Sequence, residues 1–374
     1  MHIAFVIPTL GPGGAERVAS LLSNDWAARG HIVDLITFDA DETEPFHAMD
    51  HNIDVHRLRA GRGSSGTVAR ASANVTRIAR LRSLLRRLRP DIVVAFMTEA
   101  SVVALAACRP LPFPVVVSER NQPNRPGLGL LRRLARRVSY NWAAAIVMQT
   151  EELAAWARAR FRVPVHVIPN PVVVDKVAAP STQAKKRLNS GTCRIVSIGR
   201  LTEQKGFDIL IESFGRLAAK YADWRLVIYG EGPQRPKLAQ LIEARQLEQK
   251  VALPGLTRDV ASVLSDATLF VLPSRFEGFS NVLLEALSRG LPVIATDCPG
   301  ANAKVLAYGT YGTLVPPDDI PALTAALETM MTMPQLRKTY AAKALEAARD
   351  YDIAKVSAQW LEVLQPIAAG PRTS

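Results

Sequence analysis

The chain has 374 residues, 48% apolar and 21% charged, which is more than one hydrophobic core usually holds and enough to bury two. That composition excludes a disordered chain, and no run approaches the 18 or so apolar residues of a membrane span. The formal net charge is +12, and Cys108, Cys193 and Cys298 stand far apart with no C-x-x-C pair, so neither a disulfide framework nor a zinc site is expected.

A reducing cytoplasm suits that cysteine usage, and the segment from His2 to Pro8 lacks the basic flank and the length of a signal peptide. His2 to Ile7 reads as a short strand. The glycine-rich turn Thr9 to Arg17 follows, and then Val18, Leu21, Leu22 and Trp26 recur at helical spacing. Gly13 and Gly14 would let the backbone approach a phosphate or a sugar closely. The turn is not G-x-G-x-x-G and has no well-placed acidic partner, which argues against a nicotinamide cofactor.

Further strands are expected at Ile32–Phe38, Ile53–Leu58, Asp91–Phe96, Pro114–Ser118, Ala143–Met148 and Val165–Ile168, with helices such as Val68–Leu88 and Leu128–Tyr140 between them. Such alternation predicts a parallel sheet covered on both faces. Pro169-Asn170-Pro171 breaks the pattern, and the polar run Ser181–Gly191 reads as a linker. A second alternation uses strands at Cys193–Ile198, Arg225–Tyr229, Val251–Leu253, Thr268–Leu272 and Leu291–Thr296, with helices near Phe207–Lys220, Pro233–Ala244 and Ser280–Arg289. The last helical stretch, Tyr351–Leu364, carries Val356, Trp360 and Leu364 on one side. His47, His51 and His56 read as ordinary loop histidines rather than a metal site.

Positive charge is concentrated. From Arg57 to Arg137 there are seventeen Arg, no Lys, and only Asp91, Glu99 and Glu119 as acids. Ile78, Leu81, Leu85 and Leu88 form an apolar stripe with Arg70, Arg77, Arg80 and Arg87 off it, and pairs of Arg recur every four residues through Leu130–Arg137. The apolar side of each helix is expected to be taken by the core, leaving the basic side to rest on an anionic membrane surface. A genome that favours Arg is the alternative source of the bias. No nucleic-acid motif or interleaved aromatics accompany the patch, so nucleic acid is not an expected partner.

The stretch Ser274–Glu285 follows an apolar strand and enters a helix near Ser280, whose first-turn N–H groups suit a phosphate. Glu277 precedes that helix, and Asn281 and Glu285 share one of its faces. Diphosphate oxygens want N–H groups and sugar hydroxyls want carboxylates, so the stretch suits a nucleotide sugar. Gly199–Gly206 also follows a strand, and there Arg200 and Lys205 could hold a leaving diphosphate. Gly230-Glu231 and Pro254-Gly255 end two more strands.

Glu277 and Glu285 enclose the seven residues Gly-Phe-Ser-Asn-Val-Leu-Leu, and at this point the sequence resembles the retaining glycosyltransferases of family 4. Gly13-Gly14-Ala15-Glu16-Arg17 is similar to that family's first loop. The resemblance implies an α/β fold of two Rossmann-like domains facing a central cleft, the GT-B architecture: residues 1–175 on the acceptor side, 176–350 binding the nucleotide sugar, and 351–374 a helix crossing back to the first domain. It implies retaining transfer of a hexose or N-acetylhexosamine, from a UDP-sugar in preference to GDP-mannose, without metal or other cofactor. The expected acceptor is a glycan carried on polyprenyl diphosphate, in bacterial exopolysaccharide, lipopolysaccharide or glycoprotein glycan assembly on the inner face of the cytoplasmic membrane.

By the same resemblance Arg200 and Lys205 bind the donor diphosphate, Glu277 the sugar and Glu285 the ribose. Gly230, Glu231, Pro254, Gly255, Gly278, Phe279, Ser280, Asn281 and Val282 complete the donor site, with Gly13 and Gly14 facing it. Many members place a His after the strand corresponding to Val115–Val117. Here Ser118-Glu119-Arg120-Asn121 stands instead, so Glu119 or Arg120 is the candidate sugar or acceptor contact. The missing His also leaves open a non-catalytic donor-binding paralogue, and a nucleotide-sugar epimerase uses the same two-domain plan.

Overall fold

The computed structural model describes residues 1–39, 44–59, 67–120, 129–174 and 193–370, of which 67–72, 130 and 131 by backbone alone. The linker expected at 181–191, Asn121 and the side chains of Arg70, Leu130 and Leu131 lie outside that description. The chain divides into two units, Met1–Pro171 with Ile353–Ser374, and Val172–Asp352. These limits differ from the expected 175 and 350 because Val172 forms a parallel bridge with Asp352 and its N–H donates to the Tyr351 carbonyl, so both crossings belong to the second unit.

In unit 1, seven strands lie in the order β3-β2-β1-β4-β5-β6-β7: β1 His2–Val6, β2 Ile32–Thr37, β3 Asp54–Arg57, β4 Ile92–Phe96, β5 Val115–Ser118, β6 Ala145–Met148 and β7 Val165–Val167. All are parallel. In unit 2, six strands lie in the order β10-β9-β8-β11-β12-β13: β8 Cys193–Ile198, β9 Trp224–Tyr229, β10 Val251–Gly255, β11 Leu269–Leu272, β12 Val293–Thr296 and β13 Thr313–Val315. These too are parallel.

Helices connect the strands. Unit 1 has α1 Gly14–Ala28, α2 Thr67–Leu88, α3 Thr98–Cys108, α4 Leu130–Ser139 and α5 Glu151–Arg158. Unit 2 has α6 Phe207–Gly215, α7 Arg235–Ala244, α8 Val260–Ser265, α9 Asn281–Ser288, α10 Asn302–Val305, α11 Ile320–Thr332 and α12 Pro334–Arg349. Helix α13, Ile353–Ala369, follows and belongs to unit 1. Helix α6 is shorter than the expected Phe207–Lys220, because the chain turns after Gly215.

Strand alternation explains why each sheet needs helices on both faces. Along β1, Ile3 and Phe5 enter one core with Val18, Leu22 and Trp26 of α1 and Val356, Trp360 and Leu364 of α13. Ala4 and Val6 enter the opposite core with Leu81 and Leu85 of α2 and Ala100 and Ala104 of α3. In unit 2, Ile195 faces Phe207, Leu210 and Phe214 of α6, whereas Val196 faces Leu283, Leu284 and Leu287 of α9. The apolar side of α13 is thereby used: Trp360 is fully buried, its ring 6.2 Å from Trp26 and 5.6 Å from Phe96.

Candidate active site

In unit 2 the strand order turns around between β8 and β11, so the loops leaving these neighbours run to opposite faces and open a crevice at the strand ends. Both carry the residues expected to act on the donor. The first loop contains Arg200 and a 3-10 turn at Glu203–Lys205, and ends at Gly206, whose φ of +63° starts α6. A Cβ on Gly206 would stand 2.1 Å from the Pro273 carbonyl oxygen of the second loop, so only glycine permits this approach.

Arg275 stitches the loops together. Its N–H donates to Gln204 O at 2.8 Å, and its guanidinium donates to Glu203 O at 2.6 Å, to both Asp208 oxygens at 3.0 and 2.8 Å, and to Asp318 at 2.7 Å. Gln204 returns a bond from Nε2 to Phe276 O at 2.9 Å. The sequence reading singled out neither Arg275 nor Gln204, because their partners lie far away along the chain.

Glu277 sits within this frame with its side chain 7% exposed. Its Oε1 accepts from Lys205 Nζ at 2.5 Å and from Ser274 Oγ at 2.6 Å, and its N–H donates to Pro299 O at 3.0 Å. Ser274 is held in turn by Thr296, whose hydroxyl donates to the Ser274 carbonyl, and Asn302 donates to Thr296 O. Burial pushes the neighbouring Cys298 thiol up to about 11, which keeps it protonated and unreactive near neutrality.

Helix α9 begins one residue after Ser280, which takes an extended conformation without capping the helix through its side chain. Leu283, Leu284, Ala286 and Leu287 are buried, while Asn281, Val282 and Glu285 are half-buried. Asn281 and Glu285, one turn apart, therefore share the outward face. Before the helix, Gly278 O accepts from Ala301 N at 3.2 Å, and the Phe279 ring stands edge-on to Tyr351 at 5.6 Å.

The remaining donor candidates flank β8. Gly199 N donates to Tyr229 O and Gly230 N to Gly255 O, which aligns Gly230 with the end of β10. Glu231 pairs with Arg235 at 2.9 Å, and Pro254 is exposed beside the buried Gly255. Arg200 is exposed. Unit 2 thus brings Lys205, Glu277 and Ser274 into direct contact, and sets Arg200, the start of α9 and the ends of β9 and β10 on the same strand-terminal side of its sheet.

In unit 1, Gly13 caps α1 and Gly14 is its first residue, with the Glu16 carboxylate folded back over Gly13. His47 Nε2 lies 3.2 Å from Gly13 O, and burial together with Arg17 pushes the imidazole down to about 4, so it is neutral and donates to that carbonyl. His56 and His2 both bond Asp34, at 2.6 and 2.5 Å. His56 is thus a strand residue rather than a loop one.

Glu119 and Arg120, the candidate sugar or acceptor contacts, are turned inward. Glu119 is 1% exposed and accepts from Thr98 Oγ1 at 2.6 Å and Tyr140 OH at 3.1 Å; burial raises its pKa in spite of these bonds. Arg120 lies over the Phe96 ring at 3.9 Å and donates to Asn170 at 2.7 Å, and burial pushes its guanidinium down to about 9.

Two family models, "Glycosyltransferase Family 4" over residues 12–191 and "Glycosyl transferases group 1" over residues 192–333, together span most of the chain. The chain belongs to the group 1/family 4 glycosyltransferases. This glycosyltransferase is 26% identical over 372 residues, 98% of its length and 99% of the relative's, to a Campylobacter jejuni protein named GalNAc-alpha-(1->4)-GalNAc-alpha-(1->3)-diNAcBac-PP-undecaprenol alpha-1,4-N-acetyl-D-galactosaminyltransferase. Its fold matches the sucrose-phosphate synthase of Thermosynechococcus elongatus with a TM-score of 0.84 at 20% identity, covering 98% of this chain and 99% of the other. It matches Anabaena Alr3699/HepE, solved in complex with UDP-glucose, with a TM-score of 0.79 at 22% identity, covering 98% and 100%. The glycosyltransferase accordingly has the GT-B fold.

Proposed function

We propose that this glycosyltransferase moves a hexose or N-acetylhexosamine, with retention and without a metal ion, from a nucleotide-diphosphate sugar to a hydroxyl of a lipid-linked glycan in bacterial polysaccharide assembly. The observation that carries the reading is the contact of Lys205 and Ser274 with Glu277 at the β8/β11 turnaround. As the bond from sugar to phosphate lengthens, negative charge grows on the diphosphate. Lys205, Arg200 and the first turn of α9 are cationic or N–H-rich groups suited to that charge. Glu277, tied to the same lysine, orients the sugar hydroxyls, and Glu285 the ribose. The acceptor oxygen takes the sugar, and its proton passes to the departing phosphate oxygen.

UDP is the favoured nucleotide, with GDP-mannose second. The UDP-glucose complex of Alr3699/HepE supports that preference, and the undecaprenyl diphosphate in the Campylobacter relative's name supports a lipid-linked acceptor. Incubation with a panel of UDP- and GDP-sugars, with and without a polyprenyl-diphosphate glycan, tests the proposal. Turnover of one UDP-sugar with the anomeric configuration kept is expected. Binding without turnover would point to a non-catalytic donor-binding protein, and an isomerised donor to an epimerase.

A further inference from the structure

We infer that the outer face of α4 and the turn after it sink into the headgroup region of an anionic lipid bilayer. The sequence pattern suggested that the core would claim the apolar residues of this helix, and the structure shows the reverse for Leu134 and Val138. Leu134, Val138 and Trp142, spaced at four-residue intervals, are 58%, 51% and 43% exposed. The inward positions are held by Arg136, 6% exposed, and by Ser139 and Tyr140. Arg136 can be buried because its guanidinium lies over the Trp156 ring at 4.8 Å and 3.6 Å from Glu119. That exchange leaves a row of three large apolar side chains pointing outward.

Cations surround the row. Arg132, Arg133 and Arg137 are exposed on the same helix, and the Arg109 guanidinium lies over the Trp142 ring at 5.5 Å. Glu99, 3.7 Å from Arg132, also pairs with Arg77. Helix α2 adds charge of its own through the exposed Arg80, Arg86 and Arg87, whereas Arg77 is buried and Arg82 donates to Ala106 O and Ala107 O. The row of three exposed apolar side chains lies on α4 and the turn after it.

Its chemistry selects the occupant. Single-stranded nucleic acid stacks on aromatic rings, and Leu134 and Val138 provide none. A second copy of the chain packed isologously would set arginine against arginine. An anionic bilayer satisfies both features, because apolar tips and a tryptophan enter the headgroup boundary while long arginine stems carry their charge to lipid phosphates. The surface stands on the α4 geometry alone; only its purpose, holding the enzyme where a lipid-linked acceptor is found, rests on the proposed function.

Flotation of the full chain with vesicles of phosphatidylcholine, with and without about a third phosphatidylglycerol, tests the inference. At least a tenfold preference for the anionic vesicles is expected, at roughly fivefold per arginine. Arg133→Glu with Arg137→Glu should abolish that preference. Leu134→Ser with Val138→Ser should remove the fraction that stays bound in high salt, and the blue shift of tryptophan emission on binding should vanish in Trp142→Phe. Equal binding to both vesicle types, or serine variants that bind like the parent, would overturn the inference. So would a dimer of the free protein that the serine variants dissolve. Hydrolysis of a soluble nucleotide sugar should be unchanged in all these variants; its absence from the parent would count against the proposed function and leave the membrane surface standing.

Discussion

Lys205 Nζ and Glu277 Oε1 are 2.5 Å apart although 72 residues separate them, and their bond crosses from the β8 loop to the β11 loop. The proposed leaving-group cation and sugar-orienting carboxylate are thus one unit. Lys205→Ala and Glu277→Gln should each lower kcat by about 10²- to 10³-fold, the usual cost of one electrostatic partner of the transition state. Steady-state rates together with circular dichroism check this, and a variant within threefold of the parent would remove its residue from the mechanism.

Gly206→Ala should do damage without touching a charge. The added methyl group meets the Pro273 carbonyl, and the backbone there has positive φ. A loss of about 1–3 kcal/mol is expected, read from the urea midpoint. An unchanged midpoint would show that the loops are not held in close approach.

The Asp208–Arg275 pair predicts an acid-dependent weakening of unit 2. Burial favours a raised pKa for Asp208, but the Arg275 hydrogen bonds outweigh it and hold the carboxyl below its ordinary value. A depressed carboxyl stabilises the fold above its unfolded pKa, and this contribution is lost as pH falls through the folded value. Because Asp208 is 33% exposed at its side chain, the effect should be at most about 1 kcal/mol, appearing below roughly pH 4. Urea melts at pH 7 and under acid conditions should show a smaller loss for Arg275→Ala than for the parent.

Trp360→Ala should destabilise unit 1 by about 3–5 kcal/mol, because it empties a fully buried site against Trp26 and Phe96. Calorimetry should show one unit melting early while the other keeps its transition. A single shifted transition would mean that the two melt together.

Most strands could be read from the sequence because each carries a short buried apolar run, and the apolar residues from Val282 onward marked α9 because its buried face repeats every turn. What escaped depends on distance in the chain. Arg275 and Gln204 matter through partners on another loop, and no local pattern announces that. The facing of α4 was misread for a related reason: helical periodicity assigns apolar residues inward, but Glu119 and Trp156, on other elements, give Arg136 a buried place. Glu119 and Arg120 read as polar residues after a strand, and only the fold shows Thr98 and Tyr140 bonded to the one and Phe96 and Asn170 against the other.

The return of α13 to unit 1 makes the two halves unequal as pieces. Val172–Asp352 is continuous and could be excised as one fragment, whereas Met1–Pro171 is only part of a module. A message truncated after Asp352 would leave Phe5, Trp26 and Phe96 without the helix that roofs them. Such a product should precipitate or be degraded, so a nonsense codon directly after Asp352 would cost the cell the whole enzyme.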